Sequence, residues 1–237
     1  MKKWHWAILI FILTVMLQSI GAAAEKLYCT DKVKGYDKGS FVIMQGDDVN
    51  LRKQPENGQV LRVLARHTLL RVLDKEQDWY KVSADGTEGY VYAPFTGECR
   101  KDMLTEEDFV LGYISLNNKF EQEQVEQSMG RCLGMEKKDG RYYYTFNNLV
   151  IGVHKRKKNI VYYRISDPRI ITMRGVSVGD SSARAIGQYG SPDTVIYEDA
   201  GVCYEYFFKD QKEDPYRFAI EINAEGLVKA LIIEKMQ

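Results

Sequence analysis

The sequence predicts a mainly β protein with an α+β second half: a small β-barrel, then a domain of two repeats, each a helix followed by antiparallel sheet. Three observations predict it. Between Phe41 and Phe95, short β-type runs alternate with turn residues, and no helix-period segment interrupts them. Beyond residue 112, two short helix-like stretches each end at a glycine, and each precedes a set of Tyr- and Val-rich runs. Between the two regions, "GECRKDMLTEEDF" is polar and places the boundary near residues 100–106. The expected division is 1–24 a leader, 25–100 the barrel, 101–111 a linker with a helix start, and 112–237 the two-repeat domain, split as 112–168 and 169–237.

The leader reads as a secretory signal peptide. Lys2 and Lys3 precede an uncharged apolar run from Ala7 to Leu17, and Ala22-Ala23-Ala24 offers small residues before Glu25. Export is therefore expected, to the periplasm or outside the cell, with Glu25 as the mature N-terminus. No later stretch is long and apolar enough to span a membrane. Lys2 and Lys3 leave with the leader, so 33 basic against 33 acidic side chains becomes 31 against 33. Such a balance argues against a nucleic-acid partner, which usually meets a concentrated basic excess. All four cysteines, Cys29, Cys99, Cys132 and Cys203, lie beyond the leader. An even number in an exported chain suggests two disulfides, with three connectivities open. Cys29 and Cys99 bracket the first region while Cys132 and Cys203 fall in the second, so pairing within domains is the economical expectation.

Within the barrel region the β-type runs are "FVIM", "VNLR", "QVLRVL", "LLRVL", "WYKV" and "GYVYA". Pro55 and Gly58 mark one turn, and Asp85-Gly86 is a dipeptide that favours tight hairpins. Strand parity puts Tyr80 and Val82 on one face and Trp79 on the other, and likewise sets Val91 against Tyr90 and Tyr92. One set should be core; the other is free to line a groove. In content and order, "VNLRKQP", "QVLRVL", "LLRVL" and "DWYKVSADGTEGYV" resemble the bacterial SH3 family over about residues 42–96. The resemblance implies an SH3-like β-barrel in which the Asn-Leu-Arg segment begins the barrel. It also implies that Trp-Tyr-Lys-Val forms a central hairpin with the Gly-aromatic-Val strand. The chain departs from the family at His67-Thr68, where a glycine is usual between the second and third strands. The implied role is recognition of cell-wall peptide or another extracellular ligand. Trp79, Tyr90 and Tyr92 are the candidate ligand residues, with Trp79 and Tyr90 expected side by side.

After the boundary, Thr105-Glu106-Glu107-Asp108 fits a helix start with capping-box spacing. "LNNKFEQEQVEQSMG" ends at Gly130 and "VSVGDSSARAIGQYG" at Gly190, each a helix stopped by glycine. Asp180 is the candidate N-cap of the second, and Pro192 forbids its continuation. Three β-type runs are expected after each helix: "RYYYTF", "LVIGV" and "NIVYYRI", then "VCYEYFF", "YRFAIEI" and "LVKALIIE". This pattern, and "GVSVGDSSARAIGQYGSPD" above all, is similar to the tandem fold of β-lactamase inhibitory proteins and small outer-membrane assembly lipoproteins. None of that fold's functional residues maps onto this sequence.

Catalytic chemistry has little to stand on. Beyond the leader there are two histidines, His67 and His154, too few for a zinc centre or for several converging ligands. Cys132 and His154 are the one conceivable nucleophile and base, and "MGRCLG" lacks the Asp-Cys-Ser-Gly context of cell-wall cysteine peptidases. No phosphate-loop glycines and no Gly-x-Ser-x-Gly elbow occur. We therefore expect no catalytic residue, no metal and no cofactor. "HKRKKN" at 154–159 offers Lys155, Arg156, Lys157 and Lys158 either as an anion contact or as a solvated hairpin connection. The reading that follows is an exported, non-catalytic cell-envelope binding protein, with wall peptide or an envelope protein as partner. The alternative is an inhibitor or regulator of a secreted or periplasmic enzyme, acting through the second domain.

Overall fold

The computed structural model describes residues 25–28, 39–99, 104–111, 114–210 and 212–236. The leader expected over residues 1–24, and Cys29, lie outside the described residues. Among the described residues no helix is long and apolar enough to cross a membrane. The fold is mostly β, in two large antiparallel sheets joined by a short two-stranded one.

The first strand, β1 (Glu25–Tyr28), pairs with residues 194–197 at the edge of the larger sheet. It does not join the barrel strands among which the sequence reading puts it. The barrel is built from β2 (Phe41–Met44), β3 (Val49–Arg52), β4 (Val60–Leu64), β5 (Leu69–Glu76), β6 (Trp79–Ala84), β7 (Thr87–Tyr92) and β8 (Thr96–Glu98). Their order in the sheet is β4-β3-β7-β6-β5-β2-β8. Leu64 from one end of that order and Val42 and Met44 from near the other share one core with Leu51, Leu70, Val72, Tyr80, Val82 and Val91. A flat sheet could not bring its ends together in this way, so the sheet curls on itself. Parity works as expected: Tyr80, Val82 and Val91 are buried, and Trp79, Tyr90 and Tyr92 stand on the outer face. The β6–β7 connection is the Asp85-Gly86 pair, with φ of 46° and 86°, the two left-handed residues that a tight hairpin of this hand requires.

His67 explains how the chain manages without the family's glycine. It adopts φ 67° itself, and its amide donates to Met44 O at 2.8 Å while Thr68 Oγ1 donates to Ala65 O at 2.7 Å. A left-handed non-glycine residue carries strain of order 1–3 kcal/mol unless its surroundings fix it. Here the imidazole fills the space over Gly187, where a Cβ would come within 2.6 Å of Nδ1.

Beyond the barrel, Glu106–Phe109 forms a single 3-10 turn rather than an α-helix, closed by Thr105 N–H donating to Asp108 Oδ2 at 2.8 Å. Asp108 also takes both arms of Arg174, at 2.7 and 2.8 Å, which ties the linker to the second domain. Two short strands, β9 (Val110–Leu111) and β10 (Ile114–Ser115), pair with each other. Then one order of elements occurs twice. Helix α1 (Gln122–Met129) leads into β11 (Gly134–Lys138), β12 (Arg141–Thr145), β13 (Leu149–His154) and β14 (Ile160–Ile165). Helix α2 (Ser182–Tyr189) leads into β15 (Thr194–Glu198), β16 (Gly201–Lys209), β17 (Pro215–Asn223) and β18 (Val228–Lys235). The two meanders meet at β14–β18, giving the order β1-β15-β16-β17-β18-β14-β13-β12-β11.

Each meander thus has four strands where three are expected. β11 escapes a reading by hydrophobic period because all five of its residues are exposed. The N-cap of α2 also differs from expectation. Ser181 Oγ accepts from Arg184 N–H at 3.2 Å, whereas Asp180 accepts from Ser177 N–H at 2.8 Å and so shapes the preceding turn. Both helices do stop at glycines with positive φ, Gly130 and Gly190.

One face of the nine-stranded sheet carries the main core, including Tyr163, Tyr204, Tyr206, Phe218 and Leu231, beneath α1, α2 and part of the barrel. The other face is laced by charges. Arg217 donates to Glu205 at 2.7 Å and to Glu234 at 3.2 Å, Arg141 reaches Glu234, and Arg164 meets Glu221 at 2.6 Å. The expected Cys132–Cys203 disulfide is not formed here, both thiols being free. Cys203 points to the charged face with Ala219 and Ile232, while Cys132 packs against the main core on the opposite side. Cys132 Sγ instead donates to Gly134 O at 3.3 Å. The tyrosines at 142–144 do pack alternately, Tyr144 against Phe120 at 4.4 Å and Tyr143 against Tyr162 at 5.5 Å.

The barrel is not a bead on a string. "FVIM" buries both faces of β2: Val42 and Met44 enter the barrel core, and Phe41 and Ile43 enter the core of the large sheet with Leu69 of β5. Asp85, at the tip of the β6–β7 hairpin, locks the union. Its carboxylate, 1% exposed, accepts from Tyr204 Oη at 3.0 Å, Ser182 Oγ at 3.1 Å and Arg62 Nη2 at 3.0 Å.

Candidate functional site

With the barrel core filled by Tyr80, Val82 and Val91, the alternate residues of the β6–β7 hairpin have nowhere to go but outward. Pairing from the two-residue Asp85-Gly86 turn sets Trp79 opposite Tyr92 and Lys81 opposite Tyr90. The Trp79 and Tyr92 rings lie 5.5 Å apart at 59°. Just beyond β7, the 3-10 turn Ala93–Phe95 swings the chain round, anchored by Ala93 N–H donating to Asp78 O at 2.8 Å. Phe95 is thereby laid edge-on to Tyr92, 5.6 Å away at 72°, with 49% of its surface exposed. Together the three rings wall a cleft of about 500 Å³. The rest of its lining comes from the "QGDD" turn and β3, with Asp47, Asp48, Asn50 and Arg52, and from Glu56 in the loop beyond. Gly89 makes this geometry possible, because a Cβ there would strike Leu51 Cγ and Arg52 O at 2.8 Å and push β3 away from β7.

Of the three candidate aromatics, the structure joins Trp79 and Tyr92 and leaves Tyr90 outside the cleft. Tyr90 donates its hydroxyl to Glu76 Oε1 at 2.9 Å, and that carboxylate holds its phenol above the usual tyrosine range. The expected Trp79–Tyr90 pair is therefore a Trp79–Tyr92 pair. Counting from the turn would have found it, since Trp79 and Tyr92 are equally far from Asp85-Gly86. Phe95 and the acidic rim were missed because "QGDD", "QPENG" and "APF" read as connections.

The basic run occupies the β13–β14 turn. His154 Nδ1 accepts the amides of Arg156 and Lys157 at 3.2 and 3.1 Å, and Lys158 Nζ lies 5.0 Å over the Tyr142 ring. Lys157 lines a cleft of about 330 Å³ with Arg141, His154 and Lys235. Two of those cations are already paired, Arg141 with Glu234 and Lys235 with Asp214. Lys155 and Arg156 are exposed. With His154 Nδ1 committed to its own turn and Cys132 to the Gly134 carbonyl, the residues once paired as nucleophile and base are each engaged locally.

Residues 47–96 match the family model of the bacterial SH3 domain. The first sheet is therefore a bacterial SH3 domain, followed by a second β-rich domain. No curated protein matches the chain. Among solved structures the chain is similar to the C-terminal domain of TagH, at 10% identity and a TM-score of 0.24, over 90% of this chain and 100% of that one. A likeness that slight carries no argument.

Proposed function

We propose that the protein is an exported, non-catalytic cell-envelope binding protein whose bacterial SH3 domain takes wall peptide in the cleft walled by Trp79, Tyr92 and Phe95. The observation that carries this reading is the trio of rings standing side by side on the outer face of a barrel whose core is already full. Exposed aromatic anchors in a concave surface favour binding over packing. Export rests on the leader pattern over residues 1–24, and the wall ligand on the family match.

The test is retention of the chain from Glu25 onward on purified sacculi. Truncating a true anchor typically costs more than about 1–2 kcal/mol of binding, a tenfold loss or more. Trp79→Ala and Tyr92→Ala should each lose retention while remaining folded, and Tyr90→Ala should lose far less. Full retention by the folded Trp79→Ala variant would refute the reading.

A further inference from the structure

The cleft has a composition that narrows its ligand. Four ionisable side chains line it besides Tyr92: Asp47, Asp48 and Glu56 against Arg52. Arg52 Nη1 is turned to the Gly58 carbonyl at 3.0 Å, inside the β3–β4 loop. Asp47 is partly spoken for, accepting from Arg66 N–H at 3.1 Å with Arg66 Nε at 3.5 Å. The carboxylates of Asp48 and Glu56 have no partner among the described residues. Two unpartnered carboxylates and three aromatic rings thus line one open cleft.

Ring orientation discriminates between ligands. A sugar ring stacks best on a broad flat platform, but neighbouring rings here meet at 59° and 72° and form a concave corner. A corner of π faces with carboxylates lining the same cleft suits a compact cation, which gains from ring quadrupole and ion pair together. An anionic polymer would meet like charge instead. Resting on the reading of this cleft as a wall-peptide site, we propose that it selects a peptide bearing a free primary ammonium. The ammonium would sit against Trp79 and Tyr92, with Asp48 and Glu56 as counter-charges.

The experiment uses the chain from Glu25 onward and three probes: intact sacculi, sacculi whose free amines have been acetylated, and glycan strands stripped of peptide. Trp79 is the sole tryptophan beyond the leader, so its fluorescence reports occupancy directly. Acetylation should cut retention at least tenfold, and raised salt should weaken what remains on intact sacculi. Asp48→Asn with Glu56→Gln should retain the fold, since both residues are exposed, and should bind intact and acetylated sacculi equally poorly. If acetylated sacculi hold the protein as well as intact ones while Trp79→Ala abolishes retention, the ammonium inference falls and the wall-peptide reading stands. Retention on peptide-free glycan equal to that on intact sacculi overturns both, and so does a wild-type chain that binds none of the probes.

Discussion

Replacing Asp85 by alanine removes the acceptor that three donors share. Tyr204 is 2% exposed and Ser182 2% exposed, so neither hydroxyl can turn to water without opening the contact between barrel and large sheet. A stranded buried donor costs about 1–3 kcal/mol. Arg62, 31% exposed, can rehydrate and adds little. Alanine at the φ of 46° held by Asp85 adds about 1–2 kcal/mol of left-handed strain. With two donors stranded, the expected loss for Asp85→Ala is therefore about 3–8 kcal/mol. Asp85→Asn keeps the turn preference and one acceptor, and should lose about 1–2 kcal/mol. Tyr204→Phe removes one donor from a carboxylate that keeps two, again about 1–2 kcal/mol. Because removing both partners leaves nothing stranded between them, the double variant should be less damaged than the sum, with a coupling of about 1–2 kcal/mol. Urea unfolding followed by circular dichroism measures all four corners of the cycle. Additive losses, or an Asp85→Ala cost under about 1 kcal/mol, would mean that the hairpin tip does not hold the domains together.

Other outcomes follow from the same structure. Gly187→Ala should destabilise by about 1–3 kcal/mol because its Cβ strikes His67, whereas in a His67→Gly background the same change should gain about 0.5–1 kcal/mol from helix propensity; unfolding midpoints of the two pairs decide it. Burial pushes the phenols of Tyr162 and Tyr189 and the thiol of Cys203 up to about 12, and Tyr204 well above its usual value. Unfolded Cys and Tyr lose protons near about pH 8.5 and 10, while the native state keeps them, so stability is full below those values and falls as pH rises towards 12. A urea midpoint flat from neutral pH to about pH 11 would contradict this. Iodoacetamide should label Cys132 in the native protein and spare Cys203 until unfolding; a Cys132–Cys203 peptide in a non-reducing map would overturn the placement of the two on opposite faces.

Much of the fold was legible because period-2 patterns are strong where one face is buried. "WYKV" and "GYVY" gave the inward and outward sets of the barrel, and the glycine stops at 130 and 190 gave both helix ends. What escaped was non-local. β1 joins β15 across most of the chain, and nothing in "EKLY" distinguishes that partner from a nearer one. β11 carries no hydrophobic period at all. The burial of both faces of β2 was written in the unbroken run "FVIM", but such a run does not say what lies on its second side. The cleft was half legible: the turn fixed which aromatics face outward, and only tertiary folding brought Phe95 and the acidic rim to them.

That second side of β2 decides how the molecule bears load. A barrel that merely hung on a linker would swivel and pull away on its own. Here a pull on the Trp79 cleft passes through β6 and β5 to Leu69, and through β2 to Phe41, into the interior of the nine-stranded sheet. Severing the chain near residues 100–106 would release no portable head, since Phe41, Ile43 and Leu69 would meet water on one fragment and leave a hollow in the other. Barrel and large sheet are one mechanical piece.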